Sequence, residues 1–558
     1  MPDPTLHLVL LETGGNQSYV FRTSRLRDVI GASELTYRAG TEFVLRALNK
    51  SFDDWERATD KAECLGGAAF NPLISDRNPI HLILLTSGKA LALARSAEDA
   101  ATFIFNVTKI ALVEAPGLDL LGAFVDLGAD ALENITAMEF NEKLGDLHCQ
   151  YNQNRLARVD MLTRAPTFPG RLRCASSGLP AEVLHHLSGR ISSPGAVCDG
   201  IAQEIWCKRI AVSAWRARSG QMLESNGTAR YFPVDLEDLD QLPEVDWQAV
   251  VHADGNGLGA IFLGFHDACD GAVSADGYIA TLRLFSYALD RAVVRAAKIA
   301  VSKLVTQRNG KDIVPFLPLV LGGDDLTAIV DGQQAIAFTV NFIQAYEQGM
   351  AADDDIKTIA GRYFKNRGET ETKLTVCAGI AIVKPGYPFL AAYDLASELI
   401  KSAKTVKVHA KGHSAFDFHV LYDSTHTELD HIRRRLTLND RTLTQKPIVL
   451  ADPSPASGWC QGRCFVDLQA AMAAMTCTDE DGRRILPASQ LHALRFALFE
   501  SKASADAMFQ RLRQRYEKAG LDQFGEASLF AVRASTLFLD ALEASGFYSA
   551  ATAQGVQP

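Results

Sequence analysis

The sequence Gly-Gly-Asp-Asp at residues 322–325 constrains this chain most, because it stands between two apolar runs. The pattern predicts a strand over Val314–Leu321, a returning strand over Leu326–Val330, and a tight β-hairpin turn between them. Such a turn would hold Asp324 and Asp325 at the end of a sheet, where water reaches them. Paired carboxylates there suit Mg²⁺ or Mn²⁺, which prefer hard oxygen ligands. Glycine and aspartate are also ordinary turn residues, so this motif alone leaves both interpretations open.

A second acidic turn lies upstream, where the apolar run that begins at Trp247 ends in Ala-Asp-Gly-Asn-Gly-Leu-Gly at residues 253–259. Asp254 closes the predicted strand, and Gly255 allows a backbone to approach a phosphate closely. If this strand lies beside the hairpin, its carboxylate joins the hairpin pair. Three such carboxylates can form a two-metal site for phosphoryl or nucleotidyl transfer.

Together these motifs resemble the palm domain of the CRISPR polymerase family, the large subunit of type III CRISPR effector complexes. That family makes cyclic oligoadenylates from ATP, and its palm is related to GGDEF-type diguanylate cyclases and class III nucleotide cyclases. Two further blocks agree in order. Residues 374–388 resemble the family's strand after the hairpin, with a lysine before Tyr-Pro, and a predicted helix over Ala391–Val408 carries Ala403-Lys404.

The resemblance implies a role for each matching position. The catalytic and metal-binding carboxylates would be Asp254, Asp324 and Asp325, which hold two Mg²⁺ or Mn²⁺ ions with ATP as substrate. The predicted nucleotide-binding residues are Gly255, Gly322, Gly323, Ser286, Lys384 and Lys404. Of these, Ser286 would lie near the nucleobase, and the two lysines would bind the triphosphate. Asn256 departs from the family, which often has a second carboxylate there, and this difference predicts weaker binding of the second metal or a slower enzyme.

Length and composition are those of a soluble globular protein of three or four domains, with 558 residues, 47% hydrophobic and 22% charged. No apolar run reaches the roughly 18 residues of a membrane helix, and no secretion signal is visible, so we expect a cytoplasmic location without membrane contact. The net charge of −10 argues against strong nucleic-acid binding by this chain alone. Small metal-bound nucleotides are the favoured partners.

The predicted fold class is α+β, with two ferredoxin-like palm domains. Residues 1–150 read as a β-α-β-β-α-β unit whose hairpin turn, Thr86-Ser87-Gly88-Lys89, has no carboxylate, so this first palm is degenerate. Residues 151–245 form an irregular linker domain, and residues 246–422 form the catalytic palm. Residues 423–558 have amphipathic helical spacing and predict a C-terminal helical domain.

Two other sites known from relatives are not expected here. Cys174 stands where relatives begin a zinc-binding Cys-x-x-Cys, but the second position is Ser177, so we do not expect zinc. The only His-Asp dipeptide, His266-Asp267, falls inside the predicted catalytic palm, and we therefore expect no N-terminal HD nuclease domain.

These observations favour a nucleotidyltransferase that makes a cyclic nucleotide or oligonucleotide second messenger, most plausibly from ATP, in CRISPR-type antiviral defence. Other CRISPR-type effector subunits and guide or target RNA are the implied macromolecular partners. Two alternatives stay open. The chain is instead a catalytically weak scaffold subunit of a CRISPR-like ribonucleoprotein, which Asn256 mildly favours, or a diguanylate cyclase-like enzyme with Asp325-Leu326 in place of Glu-Phe.

Overall fold

The structure is a computed structural model, and it leaves out part of the predicted linker domain. It describes residues 5–23, 25–58, 61–65, 78–128, 132, 134–158, 170–186, 198–223, 246–269, 273–304, 307–308, 311–312, 314–370, 372–422, 428–451, 458–530 and 534–548. Within the linker domain, residues 159–169, 187–197 and 224–245 lie outside the described residues. The bounds of the four predicted domains therefore stay predictions.

The N-terminal part contains a four-stranded antiparallel sheet with helices between its strands. The predicted hairpin at Thr86–Lys89 is present, and the strands on either side of it pair as expected. The elements are β1 (His7–Gly14), α1 (Asn16–Val20), α2 (Leu26–Gly40), α3 (Glu42–Ala47), α4 (Phe52–Arg57), α5 (Lys61–Cys64), β2 (Ile80–Thr86), β3 (Lys89–Ala94), α6 (Ala97–Glu114), β4 (Asp119–Asp126) and α7 (Ala137–Leu156).

The linker elements lead into a second sheet of six described strands. The elements are β5 (Val183–His186), β6 (Cys198–Ile201), α8 (Gln203–Leu223), β7 (Gln248–Gly255), α9 (Leu258–Leu263), α10 (Ala275–Ser302), β8 (Gln307–Arg308), β9 (Lys311–Asp312), β10 (Phe316–Gly322), β11 (Asp325–Asp331), α11 (Ala335–Ala352), α12 (Asp354–Asn366), β12 (Val376–Val383), α13 (Phe389–Ala403), α14 (Val406–His409), β13 (Ser414–Val420), α15 (Leu429–Leu436) and β14 (Ile448–Leu450). Short 3₁₀ helices cover Phe265–Ala268 and Gly332–Gln334.

The two sheets share one strand order. The first is β2-β3-β1-β4, and the second is β10-β11-β7-β12 followed by β13 and β14. In each, the first strand of the unit lies between the third and the fourth, as in a ferredoxin-like fold. Every residue of β12 is buried, which fits its uninterrupted apolar sequence, because a central strand covered on both faces has no solvent side. The α+β class with palm domains is confirmed.

The C-terminal part is mainly helical. It contains α16 (Phe465–Thr476), α17 (Ala488–Glu500), α18 (Lys502–Arg515) and α19 (Phe538–Ser545), with 3₁₀ helices at Glu517–Ala519 and Leu521–Phe524. It contacts the second sheet beside β14, where the Lys446 ammonium pairs with the partly exposed Glu543 carboxylate of α19 at 2.6 Å. Among the described residues, no helix combines the length and the apolar character needed to span a membrane.

Three predicted helices are wrong in extent. The apolar spacing from Leu26 to Leu45 predicts one helix, but α2 ends at Gly40. There is no room for a side chain at Gly40, because a Cβ would lie 2.1 Å from the Thr86 carbonyl oxygen. The helix predicted for Ala391–Val408 breaks after Ala403 into α13 and α14. The helix predicted from Phe530 begins only at Phe538, and residues 531–533 lie outside the described part.

Candidate active site

Strand register brings the three predicted carboxylates together. β7 is central in the second sheet, with β11 on one side, and Asp254 lies directly opposite Asp325 in this antiparallel pair. Asp324 occupies the turn that precedes β11. One carboxylate oxygen from each of the three residues lies within 4.8 Å of the other two, and all three side chains are half-buried. Like charges placed directly opposite each other are destabilising, so this arrangement favours a cation.

The predicted hairpin is confirmed, and its turn is tighter than the four-residue motif indicates. Gly322 pairs with Asp325, so Gly323 and Asp324 alone form the turn. Gly323 has φ of 65° and Gly322 has φ of 148°, conformations that favour glycine. The turn places Asp324 next to β11, where its carboxylate lies close to those of Asp254 and Asp325.

Burial disfavours the ionised forms of Asp324 and Asp325, so these carboxylates need a compensating positive charge to be ionised. Desolvation, and then the neighbouring Asp324 carboxylate, raise the pKa of Asp325 to about 7. Desolvation also raises the pKa of Asp324. A divalent ion would stabilise both ionised carboxylates, and three oxygen donors this close together match the ligand preference of Mg²⁺ and Mn²⁺. The donor set therefore fits the implied metal.

Lys404 lies beside the three carboxylates. It follows the last residue of α13, and its ammonium group forms an ion pair with the Asp254 carboxylate. About a third of its side chain is exposed, so the amine remains accessible to solvent while it pairs with Asp254. Of the two lysines predicted to bind triphosphate, this is the one that the fold brings to the carboxylates.

Lys384 lies at the opposite end of the sheet from the three carboxylates, so the structure does not bring it to the place where the sequence predicts a triphosphate contact. Because β12 runs antiparallel to β7, Val376 pairs with Gly255 beside the site while Val383 pairs with Gln248 at the far end. Seven residues of strand separate the two ends by about 23 Å. The Lys384 ammonium packs 4.0 Å from the centre of the Trp247 ring instead.

The glycine-rich segment after Asp254 is fixed by close contacts. A Cβ at Gly255 would lie 2.6 Å from Leu258 Cδ1 and 2.8 Å from the Tyr346 hydroxyl, so only glycine fits without a shift. The Asn256 amide donates to Thr375 Oγ1 at 3.0 Å and to Cys377 Sγ at 3.2 Å. Asn256 is thus tied to the segment at the start of β12, and this explains how an amide is accommodated there.

A cavity of about 710 Å³ lies between the two sheets and includes the carboxylates. This volume is within the usual range for small-molecule sites. Ser286, on α10, also lines it; this residue is 8% exposed, and its hydroxyl has no hydrogen-bond partner among the described residues. The first sheet and its helices contribute Asn16, Gln17, Tyr37, Thr86, Lys89 and His148.

Sequence reasoning missed one contact between the two halves of the cavity and one contact that supports the acidic turn. The Gln17 amide donates to the Tyr393 hydroxyl at 3.3 Å, across 376 positions of sequence. Asp290, on α10, accepts a hydrogen bond from the Gly323 backbone at 2.9 Å. Neither belongs to a local motif. The one available signal was the degenerate Thr86–Lys89 hairpin, which does line the cavity opposite the acidic turn.

Comparisons with known proteins agree with this geometry. Residues 247–411 match the family model of the Cas10/Cmr2 second palm domain. The structure resembles that of Csm1 from T. onnurineus, with a TM-score of 0.51 and 13% identity over 98% of this chain and 69% of that chain. A Csm1–Csm4 cassette in complex with pppApA has a TM-score of 0.48 and 13% identity, over 98% and 69% of the two chains. No curated protein matches the chain.

Fold and site together define a two-palm protein with a cluster of three carboxylates in its second palm. At 13% identity, the likeness to Csm1 shows the fold alone. The match over residues 247–411 goes further, and it confirms the resemblance to the large-subunit family of type III CRISPR effector complexes that the palm motifs predict.

Proposed function

We propose that this chain is a metal-dependent nucleotidyltransferase that makes a cyclic nucleotide or oligonucleotide second messenger, most plausibly from ATP, in CRISPR-type antiviral defence. The observation that carries the proposal is the register of Asp254 opposite Asp325, next to Asp324, inside a cavity shared by two palms. The match of the second palm to Cas10/Cmr2 supports it.

In the proposed reaction, a ribose hydroxyl of one nucleotide attacks the α-phosphorus of another. The new O–P bond forms in line with the O–P bond that breaks, pyrophosphate leaves with the electron pair of that bond, and the hydroxyl proton passes to solvent water. Asp254, Asp324 and Asp325 would hold divalent metal ions, which supply Lewis-acid activation of the hydroxyl and stabilise charge on the phosphates.

The protein's own groups position the two nucleotides. Lys404 binds the triphosphate as a point charge, and Gly255 lets the strand end pack against Leu258 and Tyr346 beside Asp254. Ser286 offers its unpartnered hydroxyl to the base of the nucleotide in the second palm. The first palm supplies the opposite wall, including Lys89, and holds the second nucleotide, so one chain forms both halves of the site.

The direct test incubates the purified chain with each nucleoside triphosphate and Mn²⁺, then identifies products by mass. Cyclic or linear adenylates support the proposal, whereas cyclic di-GMP indicates a diguanylate cyclase. The same assay is repeated on the chain co-purified with its partner subunits and RNA. If neither preparation yields a product from any nucleotide, the chain is a scaffold subunit and the proposal fails.

The two lysines give a matched pair of variants. Lys404→Ala is expected to raise the KM for ATP about tenfold, because a charge-assisted contact to phosphate is lost. Lys384→Ala removes the same charge at the far end of the sheet, and its KM should equal that of the wild type. Steady-state kinetics of both variants measure the difference. Equal effects of the two substitutions would contradict the placement of the triphosphate beside Lys404.

A further inference from the structure

One face of α10 contacts both walls of the cavity. At its C-terminal side, Asp290 Oδ1 accepts a hydrogen bond from the Gly323 backbone N–H at 2.9 Å. Gly323 is the first of the two turn residues of the acidic hairpin and has φ of 65°. A Cβ at Gly322 would lie 2.9 Å from the same carboxylate oxygen, so the turn packs directly against Asp290.

Arg283 and Tyr287 extend the same face of α10 to the first palm. The Arg283 Nε donates to the Ile83 carbonyl at 2.7 Å, and its Nη2 donates to the Leu82 carbonyl. The Tyr287 hydroxyl accepts from the Leu85 backbone N–H at 3.1 Å. β2 is the edge strand of the first sheet and is irregular between Leu82 and Leu84. These contacts therefore satisfy backbone groups that the sheet itself leaves unpaired.

Burial makes this attachment firm. Arg283 has no exposed surface, and Tyr287 is 3% exposed. A buried guanidinium without its carbonyl acceptors would carry a large desolvation penalty, so the two contacts to β2 are costly to break. Positions 283, 287 and 290 fall on one stripe of a helix and span about 10 Å along its axis. This segment of α10 therefore connects the edge strand of the first palm to the acidic turn.

We propose that Asp290 is a positioning residue for the metal-binding turn, and that α10, anchored by Arg283 and Tyr287, sets the distance between this turn and the first-palm wall. The proposal rests on the proposed function, because it assigns the helix the task of keeping two nucleotides in reacting geometry. Asp290 acts through Gly323, and nothing in its role requires contact with a nucleotide. Misplacement of reacting groups by about 1 Å is enough to cost roughly 10²-fold in rate.

The test compares three variants of the full chain. Asp290→Ala removes the acceptor of the Gly323 N–H and is expected to weaken Mn²⁺ binding about tenfold. Asp290→Asn keeps an amide oxygen that can accept this hydrogen bond, so its Mn²⁺ affinity should stay within about twofold of the wild type. Arg295→Ala, an exposed position on the same helix, is the control and should change nothing. Mn²⁺ affinity is measured by calorimetry without nucleotide, and thermal melting monitors folding.

Tyr287→Phe tests the other end of the helix and stays informative if Asp290→Ala does not fold. It removes only the hydroxyl that accepts from Leu85, so Mn²⁺ affinity should be unchanged while kcat falls about fivefold or more. Wild-type Mn²⁺ affinity in Asp290→Ala, or equal loss in Asp290→Ala and Asp290→Asn, would overturn the positioning role. Wild-type kcat in Tyr287→Phe would overturn the spacing role.

If the proposed function is wrong, the results differ from those that would overturn the role of Asp290. If the wild type makes no product, the kcat of Tyr287→Phe cannot be compared with it. The calorimetric comparison of Asp290→Ala with Asp290→Asn still decides whether the carboxylate orders the turn. Hydrogen exchange of the peptide that contains Gly323 adds a second readout without nucleotide. Faster exchange in Asp290→Ala than in Asp290→Asn supports the assignment, and equal exchange contradicts it.

Discussion

Asp325→Asn is expected to lower the rate of nucleotide product formation by about 10³-fold, equivalent to about 4 kcal/mol of lost transition-state stabilisation. The substitution preserves size and shape but removes one of the three charges that would hold divalent ions. Asp325 lies directly opposite Asp254 in the β7–β11 pair, and among the described residues these two and Asp324 form the candidate metal-binding group. The measurement is product formation from ATP with Mn²⁺, resolved by mass.

Unfolding cannot account for this loss, because the same substitution should stabilise the metal-free protein. Burial and the Asp324 carboxylate disfavour the ionised form of Asp325, and asparagine carries no charge. The melting temperature in EDTA near pH 8 should therefore rise. Asp354→Asn, which removes an exposed carboxylate at the start of α12, is the matched control and should keep full activity. Wild-type activity in Asp325→Asn would refute the site.

The acidic hairpin could be predicted because the residues that specify it are adjacent in the sequence. Alternating apolar runs and a Gly-Gly-Asp-Asp turn specify two strands and their connection, and β10 and β11 match the predicted strands to within two residues at each end. The meeting of Asp254 with this turn was predictable only through the resemblance to a palm. Nothing in the spacing between residues 254 and 325 encodes that β7 pairs with β11.

Lys384 shows the limit of reasoning from a short motif. The lysine follows β12, and the start of this strand lies beside the carboxylates while its end lies far from them. The sequence motif does not specify the direction in which the strand runs past the site. Lys404 comes from the next helix, which returns along the sheet and ends beside Asp254. The predicted single helix over Leu26–Leu45 also missed a contact from outside its own segment. Gly40, the last residue of α2, lies so close to the Thr86 carbonyl, 46 positions away, that no side chain would fit.

Asp290 and Arg283 were beyond prediction for a different reason. Their side chains would ordinarily be read as parts of a helix's solvated or ion-paired face, because charged residues are rarely buried without partners. In the structure Arg283 reaches carbonyl groups 200 positions earlier in the chain, and Asp290 reaches a turn 33 positions later. Helical periodicity places the two on one stripe, but only the fold shows what that stripe contacts.

Mn²⁺ affinity is expected to fall about 30-fold between about pH 8 and about pH 5.5, because bound carboxylates must be ionised. The pKa of Asp325, raised to about 7 by burial and then by the Asp324 carboxylate, lies inside this interval. At the lower pH only about 3% of the group is ionised, whereas at the higher pH it is largely ionised. Calorimetric titration at several pH values measures the affinity, and titration in buffers of different ionisation enthalpy measures the protons released.

The stability of the metal-free protein should depend on pH through the same carboxyl group. Its pKa in the folded state is about 7, and its pKa in the unfolded chain is about 3.9. The folded state therefore binds more protons between these values, so the contribution of Asp325 to stability is fully present below about pH 4 and is lost as pH rises to about 7. In EDTA, the melting-temperature difference between Asp325→Asn and the wild type should widen over this interval, and saturating Mn²⁺ should reverse its sign near pH 8. A difference that stays constant with pH, together with a pH-independent Mn²⁺ affinity, would mean that Asp325 is ionised throughout and that the site does not bind metal at the expense of a proton.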